Sequence, residues 1–295
     1  MTLRSVSQVI PAVRTLEGGG FPVRRPFPTG SLPLVDPFLL LDEMGPVDWE
    51  PGEAMGAPDH PHRGFETVTY LLAGAVQHKD SHGHVGRMGP GDVQWMTAGA
   101  GVVHSEMPTR EFRAEGGRSH GFQLWVNLPQ DKKMMPPRYQ EISAAQSPVV
   151  TSENGLAKVR VIAGEALGAR ATLKTEIPIV YLHVSLQPWG KLSQPVSPEL
   201  ATMAYLFEGS ARFGEGSAAA RDGSEGDLGI FANDGDTVEL TAGHLGAEIL
   251  LLAGQPLREP VARYGPFVMN TSEEIRQAVA DYQSGQFGRI PATLV

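Results

Sequence analysis

HPHRGFETVTYLL, residues 60–72, carries the strongest structural signal in this sequence. Its second part is rich in β-branched and aromatic residues and is followed by Gly74, which predicts a strand that ends in a turn. Side chains two residues apart leave an extended chain on the same face, so His60, His62 and Glu66 share one side if this segment is extended. The segment therefore predicts strands that present two imidazoles and a carboxylate to one face.

Strand-like segments continue outward from this stretch. The chain of 295 residues contains 35 Gly and 24 Pro, which favours many short strands joined by turns over long helices. Strands are predicted at residues 76–79, 93–96, 102–106 and 120–127, and a second series falls between residues 157 and 252. Strands of this length and spacing predict an all-β fold built as a sandwich or barrel.

The domain organisation is predicted from the break between the two strand series. Residues 129–148 are polar and contain several prolines, as expected of a linker, which divides the chain into domains at residues 1–135 and 136–295. Each half holds a strand followed by glycine, at Gly74 and Gly209, which indicates a duplicated fold. The string TSEE at residues 271–274 predicts a capping box and a short C-terminal helix.

Composition excludes several classes of function. There are 24 Lys and Arg against 33 Asp and Glu, a net charge of −9, so no broad basic face for direct nucleic-acid contact is expected. The absence of cysteine excludes disulfides, thiolate metal sites and cysteine nucleophiles. We see no signal peptide and no apolar run of about 18 residues, so we expect a cytoplasmic protein without a membrane partner.

A metal-ligand pattern lies between residues 59 and 106. About forty residues after His60 and His62, the triplet His104-Ser105-Glu106 repeats the alternation with one imidazole and one carboxylate. Taken alone, two histidines separated by one residue are more often a surface pair than a set of metal ligands. Here the His60/His62 pair and the His104/Glu106 pair lie on separate predicted strands, and a closed barrel can bring distant strands together, which favours a metal site. Such donors suit iron, nickel, copper, manganese or zinc.

The order of motifs resembles the pirin family of the cupin superfamily. Residues 56–74 and 90–104 are similar to the two cupin motifs, and residues 60–72 are closely similar to the pirin version. Four further strings fit the same family: QWMTAG at 94–99, HSEMP at 104–108, QLWVNL at 123–128 and YGPFVMNT at 264–271. The resemblance spans most of the chain and implies two cupin jelly-roll barrels packed face to face.

The resemblance also implies a ligand set in the N-terminal domain. By position, His60, His62, His104 and Glu106 would hold one divalent transition metal per chain, with Fe(II) favoured. Glu66 occupies the position that binds metal in many other cupins. We assign it instead to support an imidazole ligand from behind, since two carboxylates would crowd the metal. The C-terminal domain, with only His183 and His244, is expected to lack a metal site.

The function implied by the resemblance is flavonol ring opening. Such an enzyme, a quercetin 2,3-dioxygenase, would take a flavonol and O2, release carbon monoxide, and use Glu106, or Glu66 behind it, to accept the substrate's hydroxyl proton. An alternative is a redox-responsive iron protein that binds a transcription factor or a metabolic enzyme, and the acidic charge suits a basic protein partner. A different cupin reaction at the same metal, such as an isomerisation, also stays open.

Other polar residues give weaker signals. His78, His82 and His84 flank a glycine turn and are expected to line a solvated hairpin. Lys132 and Lys133 are expected in a solvated loop. His120 and Gln123 are candidates for the rim of the site.

Overall fold

The computed structural model describes residues 1–291, and over this range the chain is built mainly from antiparallel strands. The strands and the helix of the first 142 residues are β1 (Val6–Pro11), β2 (Val13–Glu17), β3 (Phe21–Phe27), β4 (Phe38–Trp49), β5 (Ala57–His62), β6 (Phe65–Ala73), β7 (Val76–Asp80), β8 (Val85–Met88), β9 (Val93–Thr97), β10 (Val102–Pro108), α1 (Arg110–Glu115), β11 (Gly117–Asn127) and β12 (Arg138–Ile142). A 3₁₀ turn, Gln130–Lys132, precedes β12. The all-β prediction is confirmed.

The remaining strands form a second, longer series. They are β13 (Val149–Thr151), β14 (Ala157–Ala163), β15 (Glu165–Ala166), β16 (Ala169–Arg170), β17 (Ile179–Leu186), β18 (Lys191–Pro195), β19 (Ala201–Phe213), β20 (Arg221–Ser224), β21 (Asp227–Phe231), β22 (Thr237–Gly254), β23 (Ala262–Tyr264) and β24 (Phe267–Met269), and helix α2 (Ser272–Gln283) follows them. Within the described residues, neither helix is long and apolar enough to cross a membrane.

Two compact units are assembled from interleaved segments of the chain. The ligand unit, which carries the predicted metal ligands, comprises Arg14–Arg25, Phe38–Ala144 and the chain from Leu257 onward. The companion unit comprises Met1–Val13, Pro26–Pro37 and Ala145–Pro256. The domain boundary between residues 135 and 136, taken from the sequence, stays a prediction that residues 1–135 and 136–295 are separate domains.

The ligand unit contains a seven-stranded sheet, a four-stranded sheet and a two-stranded sheet formed by β23 and β24. The larger sheet has the order β12-β9-β6-β11-β4-β3-β2, and the smaller has the order β5-β10-β7-β8. Side chains of the two sheets meet between them: the ring centroids of His62 on β5 and Trp125 on β11 are 5.2 Å apart. The sequence interpretation of residues 129–148 as a linker is wrong for β12, which pairs with β9 and extends the larger sheet.

The companion unit has a nine-stranded sheet around an apolar core and a two-stranded sheet formed by β15 and β16. Strands β19 and β22 pair along most of their length, and β17 pairs with β22 on its other side. Alternate residues of these strands, among them Leu182, Val184, Leu206, Ile249 and Leu251, are fully buried in one cluster. This alternation is the sheet period that the sequence predicts, with apolar side chains on the inner face.

Helix α2 packs within the ligand unit. Thr271 accepts a hydrogen bond from the backbone of Glu274, and the Glu274 carboxylate accepts one from the backbone of Thr271, which confirms the predicted capping box. The guanidinium of Arg63, the residue after His62, donates to Asp281 on α2 at 2.7 Å and to the backbone oxygen of Ala100. The C-terminal segment therefore holds the chain directly beside a predicted metal ligand.

A buried lysine forms a second connection to the same stretch. The Lys133 ammonium donates to the backbone oxygens of Gly64 and Val268 and to Asn127 Oδ1, at 2.6 to 3.1 Å. Burial lowers its pKa to about 8. Gly64 has φ +87°, and a Cβ there would collide with the Val268 oxygen. The expectation that Lys133 is solvated is wrong, because its hydrogen-bond partners come from segments distant in sequence.

We expect Lys133→Met to lower the free energy of unfolding by about 2–4 kcal/mol, because it leaves three buried acceptors without a donor. Lys158→Met, at an exposed position, is the control. Urea denaturation followed by tryptophan fluorescence measures both variants. Equal stability of the two would contradict a connecting role for Lys133.

Candidate metal centre

The pairing of β5 with β10 brings the predicted histidines together. His60 lies directly opposite His104 in the antiparallel register, and His62 lies opposite Val102. In an extended strand His60 and His62 share a face, so both imidazoles meet that of His104. One ring nitrogen from each of the three histidines lies within 4.8 Å of the other two.

Two of these imidazoles have buried nitrogens with no hydrogen-bond partner. They are Nδ1 of His62 and Nε2 of His104, on side chains that are 3% and 1% exposed. Leaving a buried polar atom unpaired costs free energy, so native structures rarely keep such atoms without a compensating partner. A cation among the three rings would accept both lone pairs.

Burial also fixes the charge state of the rings. It lowers the pKa of both His62 and His104 well below the ordinary value, and the neighbouring His60 lowers each further. Removal from water penalises the charged imidazolium form. The two rings are therefore neutral at pH 7, which is the form of histidine that binds metals.

The second nitrogen of each ring is oriented by a contact. His60 Nδ1 lies 2.7 Å from the backbone oxygen of Pro58, and His62 hydrogen-bonds to the backbone of Pro266. His104 Nδ1 lies 2.8 Å from Nε2 of His78. Contacts of this kind set the tautomer and the ring orientation of metal-binding histidines.

The position of His78 corrects a sequence expectation. His78 is fully buried behind His104, whereas His82 is exposed on the β7–β8 turn. The sequence shows that His78 and Asp80 share one face of a strand, but it does not show that this face is buried. Burial follows from the pairing of β7 with β10, which places His78 opposite Glu106 and cannot be deduced from periodicity.

Glu106 lies on β10 two residues after His104, but the potential ligand atoms that cluster within 4.8 Å come from the three histidines and do not include its carboxylate. Its role as a fourth ligand stays a prediction. Its Oε1 is 2.7 Å from the hydroxyl of Thr69, which is also 2.7 Å from Gln123 Oε1. Burial raises the pKa of Glu106, while the charge of His60 and the hydrogen bond from Thr69 act in the opposite direction. Thr69 was not singled out from the sequence, since a threonine in a strand is ordinary.

Glu66 lies on the same strand as Thr69, further toward the strand's start. It is 1% exposed and accepts a hydrogen bond from the hydroxyl of Thr97 at 2.6 Å. Strand β6 pairs with β9 so that Glu66 lies directly opposite Thr97, which explains this hydrogen bond. Its predicted support of an imidazole ligand stays a prediction.

A pocket in the ligand unit is lined in part by Glu106, although none of the three clustered histidines lines it. It encloses about 690 Å³ of space, including its opening to solvent, and is lined mainly by apolar residues of the ligand unit. Trp49, Leu71 and Phe112 contribute to the walls, and Thr69 and Glu106 contribute polar groups. His120 also lines this pocket, which agrees with its predicted place at the rim. A mostly apolar cleft with a few polar groups is the usual form of a small-molecule site.

The donors present fit a first-row divalent metal. Three imidazoles, with a carboxylate two residues after His104, match the ligand preferences of iron, nickel, copper, manganese and zinc. Within residues 1–291 no other cluster of three potential ligands is found. In the companion unit, His183 Nε2 instead bonds Glu248 Oε2 at 2.7 Å, and His244 is exposed.

Comparison with known proteins identifies the family. The model of the Pirin family matches residues 20–126, and that of the Pirin C-terminal cupin domain matches residues 181–288. A Pirin from Rattus norvegicus is 44% identical over 274 residues, which cover 92% of this chain and 89% of that protein. The chain belongs to the pirin family. Its two cupin domains, predicted from motifs, are thereby confirmed.

Two further relatives show how far the similarity extends. A pirin-like protein of Caulobacter vibrioides is 41% identical over 97% of this chain and the whole of its own. The crystal structure of a quercetin 2,3-dioxygenase from Acinetobacter baumannii has a TM-score of 0.91 at 38% identity, covering 98% of this chain and 100% of that one. The fold is therefore shared, over 98% of this chain, with a protein described as a quercetin 2,3-dioxygenase.

We expect Thr69→Val to weaken metal binding several-fold, because it removes the hydroxyl that bonds Glu106 while keeping the shape of the side chain. Thr67→Val, at another buried position of β6, is the control. Competition between the protein and a chelator for Zn(II) measures the affinity. Equal affinities of the two variants would show that the hydroxyl of Thr69 has no influence on the centre.

Proposed function

We propose that this protein is a metal-dependent dioxygenase that opens the ring of a quercetin-type flavonol and releases carbon monoxide. The observation that carries the proposal is the pair of buried, unpartnered imidazole nitrogens of His62 and His104. Glu106, two residues after His104, lines an apolar pocket that could hold the substrate. The similarity to a quercetin 2,3-dioxygenase over nearly the full chain supports the choice of reaction.

In this proposal His60, His62, His104 and Glu106 hold one Fe(II), and Glu66 supports the ligands from behind. Bound iron would lower the pKa of a substrate hydroxyl and provide the redox chemistry for reaction with O2. Three imidazoles and one carboxylate would occupy four positions of an octahedral metal, so the substrate and O2 could bind at the other two without displacing a protein ligand.

Glu106 accepts the proton of the flavonol 3-hydroxyl in this mechanism. A carboxylate that lines the substrate pocket is placed to accept this proton. The Thr69 hydroxyl holds Oε1 in place, so proton transfer requires little movement of the side chain. The apolar walls of the pocket, including Leu71 and Phe112, would pack against the flat aromatic rings and exclude water.

We expect chain reconstituted with ferrous iron to carry close to one iron per chain. With quercetin it should consume O2 and release an equal amount of carbon monoxide, because ring opening expels one carbon as CO. Elemental analysis, an oxygen electrode and a CO-binding haem protein measure these quantities, with zinc-loaded chain as the control. Iron binding without CO release would favour the regulatory alternative, and failure to bind any metal would overturn the centre.

A second experiment separates the two carboxylates. Glu106→Gln keeps size but removes a ligand charge, so we expect a substantial loss of iron affinity and no turnover. Glu66→Gln should retain iron, with a loss of about 10–100-fold in affinity or activity, typical of a group behind a ligand. Iron content and quercetin turnover of both variants are compared with those of the parent chain.

The reverse order would mean that Glu66 is the metal ligand. If neither variant loses iron but only Glu106→Gln loses turnover, Glu106 is a base and the metal rests on three imidazoles and water.

A further inference from the structure

His78 is a buried histidine whose chemistry the proposed reaction does not use. It lies on β7 opposite Glu106 of β10, and none of its surface is exposed. Its Nε2 is 2.8 Å from Nδ1 of His104, and its Nδ1 has no hydrogen-bond partner. Its ring also packs at 5.0 Å against that of Tyr139.

The short contact between the two rings requires one proton between them. A neutral imidazole carries hydrogen on one nitrogen and a lone pair on the other. Either His104 donates from Nδ1 to His78, or His78 donates from Nε2 to His104. The two arrangements place the single N–H hydrogen of His104 on different ring nitrogens, and only one of them leaves Nε2 free to bind a cation.

The productive arrangement follows from the other end of His104. If His78 donated, the hydrogen of His104 would sit on Nε2, which is the buried nitrogen that faces His60 and His62. A protonated nitrogen has no lone pair for a metal. If His104 donates instead, Nε2 is free to bind and His78 carries its hydrogen on Nδ1.

The other two imidazoles support this assignment. His60 and His62 are each oriented by a backbone group, that of Pro58 and that of Pro266. A backbone oxygen can only accept, so Nδ1 of His60 must donate to Pro58 and leave its Nε2 free. His78 provides for His104 what a carbonyl provides for His60.

We propose that His78 is a positioning residue that accepts a hydrogen bond from His104 and thereby holds His104 in the tautomer that presents Nε2 to the metal. This role rests on the proposed metal centre. The backbone groups that orient His60 and His62 cannot be removed by substitution. The His78 side chain can be replaced, so its effect on metal affinity can be measured.

Substitution of His78 tests the role. We expect His78→Leu to weaken Zn(II) binding about 10- to 100-fold and to shift the visible absorption bands of the Co(II)-loaded chain. His78→Gln, whose amide oxygen can accept near the position of Nε2, should restore most of the affinity and the parent spectrum. Met88→Ala removes buried volume elsewhere in the same sheet and is the control, with thermal melts of each metal-free chain to confirm folding.

Tautomers in the parent chain provide a test without substitution. Long-range ¹H–¹⁵N spectra of the zinc-loaded protein should show His78 protonated at Nδ1 and His104 protonated at Nδ1. Finding His78 protonated at Nε2 would overturn the proposal, as would parent-like affinity and spectrum in folded His78→Leu. Equal defects in the Leu and Gln variants would assign His78 to packing alone. A parent chain that binds no Zn(II), Co(II) or Fe(II) would overturn the metal centre itself.

Discussion

The burial of neutral imidazoles that face one another is the constraint on which the ligand unit depends. Taking His62 and His104 out of water removes the hydration of nitrogens that find no partner within the protein. Protonation cannot relieve this cost, because burial and the neighbouring rings lower the pKa of both. A divalent cation can satisfy these lone pairs together, so the structural cost of the cluster and its capacity to bind metal have the same origin.

The packing around the cluster keeps it from relaxing. Arg63 and Gly64, directly after His62, are held by Asp281 and by Lys133, and the chain turns there through a conformation suited to glycine. Asp281 lies on helix α2, 218 residues after Arg63. Integrity of the histidine cluster therefore depends on helix α2 as well as on the segment that contains the histidines.

The two sides of the centre differ in chemical character. Toward the pocket, Glu106 and Thr69 present polar groups to an apolar cleft suited to a flat organic molecule. On the other side, His78 lies against His104 in a fully buried environment. In the proposed mechanism the substrate contacts Glu106 and the pocket walls, whereas His78 contacts His104 and does not line the pocket. This division lets variants on either side be interpreted separately.

The sequence by itself determined the all-β class, the capped C-terminal helix and the three histidines that meet. These features depend on alternation along a strand and on the local chemistry of a helix start, both readable from neighbouring residues. Only the tertiary structure decided which side chains support the centre. His78, Lys133 and Thr69 have unremarkable local contexts, and their contacts arise from strand register and from chain segments far apart in sequence. Periodicity tells which residues share a face, but long-range pairing decides which face is buried and against what.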